Sequence, residues 1–99
     1  MLSETHYLIR SLQNGQYLVA RPHGEIERTG YLLLFHEHYE ALSYLNAHGQ
    51  DIASHFAVEC VGKPQVRGLL DRWGFQGVGL VRDPLIPQID FLRYEGMGH

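Results

Sequence analysis

Residues 31–35, Tyr-Leu-Leu-Leu-Phe, constrain the fold more than any other stretch of this chain. The run is apolar throughout, short, and bounded by Gly30. A strand with one wet face alternates apolar and polar side chains, whereas one covered on both faces does not. The run therefore predicts a strand covered on both faces, or nearly so, and commits the chain to a sheet built around it.

The neighbouring stretches supply the rest of that sheet. In residues 5–10 Tyr7 and Ile9 point one way and His6, Leu8 and Arg10 the other. Asn14-Gly15 is the favoured pair for a tight turn with positive φ, and residues 16–21, Gln-Tyr-Leu-Val-Ala-Arg, return as a second strand. Residues 22–30, with one proline, two glycines and mixed charge, read as a surface loop. From Glu37 to His48 the period turns helical, with His38, Ala41, Leu42, Leu45 and His48 on one face and Gly49 as the stop. Residues 51–56 fit a short helical turn leading into a strand over 56–61. A second helix starts near Pro64 and carries Val66, Leu69, Leu70 and Trp73 at i, i+3, i+4, i+7; Gly74 or Gly77 ends it. Strands over 77–82 and 88–94 close the chain around a turn with two prolines.

The order β-β-β-α-β-α-β-β predicts an α+β fold: a mixed five- to six-stranded sheet with two amphipathic helices packed on it. The two helices are expected to cover one side of the sheet. Leu33, Leu42, Leu45, Val58, Val66, Leu69, Leu70 and Trp73 are expected to be buried together. Ninety-nine residues make one domain with a modest core.

Composition excludes several function classes. The eight Lys and Arg are scattered and the net charge is −3, which argues against phosphate-backbone binding and so against nucleic acid as a partner. No apolar run approaches the length of a membrane span, so no membrane association is expected. The first ten residues lack a basic region followed by an apolar core, and the one cysteine, Cys60, permits no internal disulfide. These features predict a cytoplasmic protein.

The stretch Phe-His-Glu-His-Tyr-Glu, residues 35–40, holds the best candidates for chemistry: His36, His38 and Glu40. A zinc site needs three or four converging ligands. Histidines two apart converge only on a strand, and here the pair straddles the junction of strand and helix, so the rings are expected to diverge. The HExxH pattern fails because position 40 is glutamate. Cys60, inside a strand, reads as a small buried apolar residue, although pairing with His55 is conceivable. The glycines of residues 74–80 lead from helix to strand, the reverse of a phosphate cradle. The N-terminus of the second helix, around Gly62, Lys63 and Pro64, is the better anion site by dipole logic. Asp83 and Asp90 are placed to face each other across the last hairpin. No carboxylate lies isolated in an apolar run, and no serine sits in a nucleophile elbow. No catalytic residue and no cofactor are therefore assigned, and the chain reads as a non-enzyme.

Aromatic and edge residues point elsewhere. Tyr39 and Tyr44 fall off the first helix's apolar stripe, so at least one should be exposed. Tyr17 and Val19 lie on a strand with few charges to discourage pairing. Exposed tyrosines are favoured at partner surfaces. Residues 30–45 resemble the strand, polar break and helix of the SseB N-terminal-like domain, and residues 77–94 resemble that family's closing strand, proline-containing turn and strand. The resemblance implies a small regulatory or accessory protein. The expectation is a non-catalytic interaction module that self-associates or docks to another protein through Tyr17, Val19, Tyr39 or Tyr44. The alternative is a small-ligand or metal-binding protein using His36, His38 and Glu40.

Overall fold

The structure is a computed structural model and describes residues 5–22 and 30–94. The elements are β1 (Thr5–Ser11), β2 (Val19–Ala20), β3 (Tyr31–Phe35), α1 (His38–His48), a 3-10 helix (Gln50–His55), β4 (Phe56–Gly62), α2 (Lys63–Trp73), β5 (Gly77–Asp83) and β6 (Gln88–Arg93). The α+β class and the predicted order both hold. The surface loop expected at residues 22–30 falls largely outside the described residues.

The strands form one mixed sheet in the order β4-β1-β3-β5-β6. β3 is central, and Leu32, Leu33, Leu34 and Phe35 are all almost completely buried, as an unbroken apolar run demands. It pairs in parallel with β5 and antiparallel with β1. The outer strands β4 and β6 each pair antiparallel with one neighbour.

The two helices lie on opposite faces, not on one. Leu32 and Leu34 pack with Leu70 of α2, while Leu33 and Phe35 pack with Ala41 and Leu45 of α1. Chain direction gives the reason. β3, β4 and β5 run the same way, and α1 carries the chain from β3 outward to β4, whereas α2 carries it back to β5. Crossovers between parallel strands share one hand. Two crossovers in opposite directions keep that hand only by using opposite faces. The residues expected in one core are accordingly split, with Leu33, Leu45 and Val58 on one side and Val66, Leu69 and Leu70 on the other. Leu42, at 42% exposure, and Trp73, at 39%, belong to the surface.

The first hairpin also differs from expectation. Gly15 has φ +73°, but Asn14 stays on the negative side, so the turn is not the two-residue form. Ser11 N–H donates to Gln16 O at 2.8 Å across a longer loop, and the Asn14 side chain accepts from Gln16 N–H at 2.9 Å. The returning chain then folds into a V. Tyr17 pairs antiparallel with Arg10 of β1, and Val19 and Ala20 pair antiparallel with Leu32 and Tyr31 of β3. Leu18 sits at the apex: its N–H donates to Ile9 O and its carbonyl accepts from Leu33 N–H. β1 and β3 meet at Tyr7 and Phe35 and splay apart, and residues 16–20 fill the fork. Tyr17 and Val19 are therefore interior to the sheet and do not form a free edge.

Candidate functional site

The histidine-rich junction resolves into local structure. Glu40 accepts a hydrogen bond from Glu37 N–H at 3.2 Å, which closes the first turn of α1 as a capping box does. His36 follows β3 onto the α2 side, where its ring lies 5.5 Å from that of His6. His38 opens α1 on the other side, its ring 5.7 Å from Tyr7 and edge-on to it. The two rings thus diverge. Among the described residues no three histidine, cysteine, aspartate or glutamate side chains gather in a metal-binding group.

Tyr39 is exposed, as one of the two helix tyrosines should be. Tyr44 instead packs into the core, 5.4 Å from Phe35 and 4.6 Å from His48. Burial raises its phenol pKa above the ordinary value.

Cys60 lies mid-strand but is exposed rather than buried, because β4 is an outer strand. It stands directly across from Tyr7 in the β1–β4 register. Negative charge on Cys60, and then burial, push the Tyr7 phenol above its usual pKa. His55 is at the far end of β4, 3.5 Å from the Gln13 amide, so it and Cys60 are not brought together. Asp83 and Asp90 do not face each other. Asp83 accepts from Leu85 N–H and Ile86 N–H within the turn, and Asp90 pairs with Arg82. At the start of α2, Gly62 N–H donates to the Gln65 side chain at 2.6 Å, so the chain itself occupies part of that anion site. Gly74 ends α2 in the left-handed conformation, φ +71°, and a side chain at Gly77 would collide with the backbone of Leu92.

Among the described residues three open grooves flank α2. One of about 280 Å³ lies between α2 and the strands, with Leu34, Val78, Leu80 and Leu92 along it and Lys63 and Arg67 at its rim. A second, of about 460 Å³, runs between α2 and β4 past Tyr17, Gln65, Gly68 and Arg72. A third, of about 260 Å³, continues from Tyr17 to Trp73 and Phe75. Trp73 meets Tyr17 edge to face, with centroids 5.4 Å apart, and lies parallel to Phe75 at 6.2 Å.

The exposed apolar residues have a second concentration. Leu85 is 63% exposed and Ile86 74%, both in the turn before β6, and Phe91 and Leu92 are exposed on β6 itself. Sequence reasoning missed both surfaces. It took Trp73 as core because the helical period includes it, and it took the last hairpin as an ordinary closing element. A glycine in mid-helix and the apolar pairs Leu85-Ile86 and Phe91-Leu92 around an edge strand were the available signals.

Comparison of the chain with protein-family models, with curated proteins and with solved structures finds no match. No helix among the described residues is long and apolar enough to cross a membrane.

Proposed function

We propose that this chain is a small non-catalytic interaction module of the cytoplasm that pairs with a second copy of itself through the outer edge of β6. One observation carries the reading: four of the large exposed apolar side chains, Leu85, Ile86, Phe91 and Leu92, are strung along one outer hairpin. Phe91 and Leu92 point to opposite faces of the sheet, so a strand added beside β6 would gain apolar neighbours on both. The other outer strand, β4, offers only Cys60 as an exposed side chain. An unpaired edge is a template for another strand, and oligomers of one chain favour two-fold symmetry.

A two-fold axis normal to the sheet keeps like faces together, so the antiparallel register must centre on a residue. Centred on Phe91, it sets that ring against its own copy, Asp90 against Leu92 and Ile89 against Arg93. No like charges then oppose one another, whereas centring on Asp90 would set two carboxylates face to face. A stable contact needs roughly 800 Å² per subunit, to which Leu85 and Ile86 add beyond the strand. The accessory role also agrees with the class that the SseB-like pattern implies.

Sedimentation at micromolar concentration tests the proposal. The wild type should run as a dimer and Phe91→Glu as a monomer with an unchanged circular dichroism spectrum. A wild type that runs as an 11.3 kDa monomer removes the reading.

A further inference from the structure

We infer that the groove between α2 and β4, with the aromatic notch that continues it, docks a proline-rich segment of another protein, its acidic end toward Arg72. This surface lies at the opposite end of the sheet from β6 and is independent of pairing there.

Gly68 is the first ground. It sits in the middle of α2, exposed, with negative φ, and a Cβ built on it would meet nothing within 4 Å. Glycine is the poorest helix former after proline. Nothing in the described residues approaches closely enough to require its bare backbone, yet it lines the larger groove. A side chain there would fill the groove, and its absence lets another backbone run across the helix.

The aromatic notch is the second ground. Trp73 is 39% exposed, flanked by Phe75 in parallel and crossed by Tyr17 at 81°. Rings at such an angle make a notch that accepts a puckered pyrrolidine, whereas a nucleobase or a sugar needs an open flat face. The net charge of −3 also disfavours nucleic acid.

Hydrogen-bonding capacity is the third. A polyproline II segment makes no internal hydrogen bonds and presents its carbonyls outward. The Trp73 indole N–H has no acceptor among the described residues. The Gln65 oxygen is taken by Gly62 N–H, which leaves its amide NH₂ as a donor. Charge then sets direction. Three charged side chains line the groove and its notch: Glu59, which accepts from Arg10 Nε at 2.7 Å, Arg21, which is engaged by an interaction of its own, and Arg72, which has no carboxylate partner among the described residues. An acidic flank on the peptide complements Arg72.

Trp73 is the only tryptophan, so its fluorescence reports on the site directly. The probe is a synthetic oligoproline ending in Asp-Asp, with a Gly-Ser peptide of equal length and charge as control. The wild type should give a saturable shift with the oligoproline and none with the control. Arg72→Glu should weaken the acidic peptide several-fold and leave an uncharged oligoproline amide unchanged. Gly68→Leu should abolish the shift while melting at or above the wild-type temperature, which separates a blocked groove from a damaged fold. No saturable shift in the wild type overturns the inference. So does a Gly68→Leu variant that binds normally, a control peptide that binds equally well, or tighter saturation by oligothymidine or a glucose oligosaccharide.

Discussion

Gly68 and Gly74 make a matched pair that tests the backbone of α2 with one substitution. A Cβ at either position would meet nothing within 4 Å, so neither replacement by alanine introduces a clash. The two differ in backbone conformation: Gly68 is within the helix, and Gly74 ends it at φ +71°. In the helix interior alanine is better than glycine by about 0.8–1.0 kcal/mol, through lower unfolded-state entropy and less exposed backbone. In the left-handed conformation alanine is worse by about 1–2 kcal/mol, because Cβ crowds the following carbonyl. Gly68→Ala should therefore stabilise and Gly74→Ala destabilise, a spread of about 2–3 kcal/mol between two surface changes. At about 2.1 cal/mol/K of unfolding entropy per residue, a domain of this size moves its melting temperature by roughly 5 °C per kcal/mol. Gly68→Ala should thus melt about 4–5 °C above the wild type and Gly74→Ala some 5–10 °C below it. Thermal and urea unfolding followed by circular dichroism measure both. Shifts of the same sign, or a loss of stability in Gly68→Ala, would refute the placement of α2 over these residues.

Two further measurements bear on the core and on the histidine-rich junction. Leu33→Ala should cost about 2–5 kcal/mol because Leu33 is almost wholly buried against α1, while Leu69→Ala, at a half-buried site, should cost about 1–2 kcal/mol in urea titration. Equal costs would contradict the difference in burial between the two sites. Glu40→Ala should lower stability by about 0.5–1 kcal/mol, and a chelator should leave the wild-type melting temperature unchanged. A drop with chelator that His36→Ala or His38→Ala removes would restore the zinc reading of the junction.

The parts of this fold that were legible in the sequence are those that local periodicity determines. The unbroken run at 31–35, the alternation at 5–10 and the spacing of Val66, Leu69, Leu70 and Trp73 each specify an element type from neighbouring residues alone. What they could not specify is which neighbour each element meets. Residues 16–21 look like an edge strand because their partners on β3 lie beyond the loop, and only the splay of β1 and β3 makes room for them. The face of α1 was misjudged in a similar way. Leu42 and Tyr44 flank Ala41 and Leu45 on either side, and contact with Phe35 decides in favour of Tyr44. At residues 35–40 the divergence of the two histidines could be read in advance because strand and helix geometry are local. The candidate surfaces on α2 and β6 left only indirect signals, Gly68 and the apolar pairs of the last hairpin, since exposure is a property of the assembled sheet.

The filled fork between β1 and β3 bears on how this chain reaches its native state. Residues 16–20 bond to both β1 and β3, so the first hairpin cannot be completed from its own residues. β1 in turn pairs along its other side with β4, and Thr5 meets Gly62 from more than half the chain away. Closing such distant pairs costs loop entropy before any packing offsets it. Folding on a millisecond-to-second scale is the expectation for so non-local a topology. β5 and β6, joined by a short turn, depend on no such closure and can pair early, with Phe91 and Leu92 already on display. Concentrated refolding would then favour encounters between chains over completion of the sheet, so dilution should improve recovery.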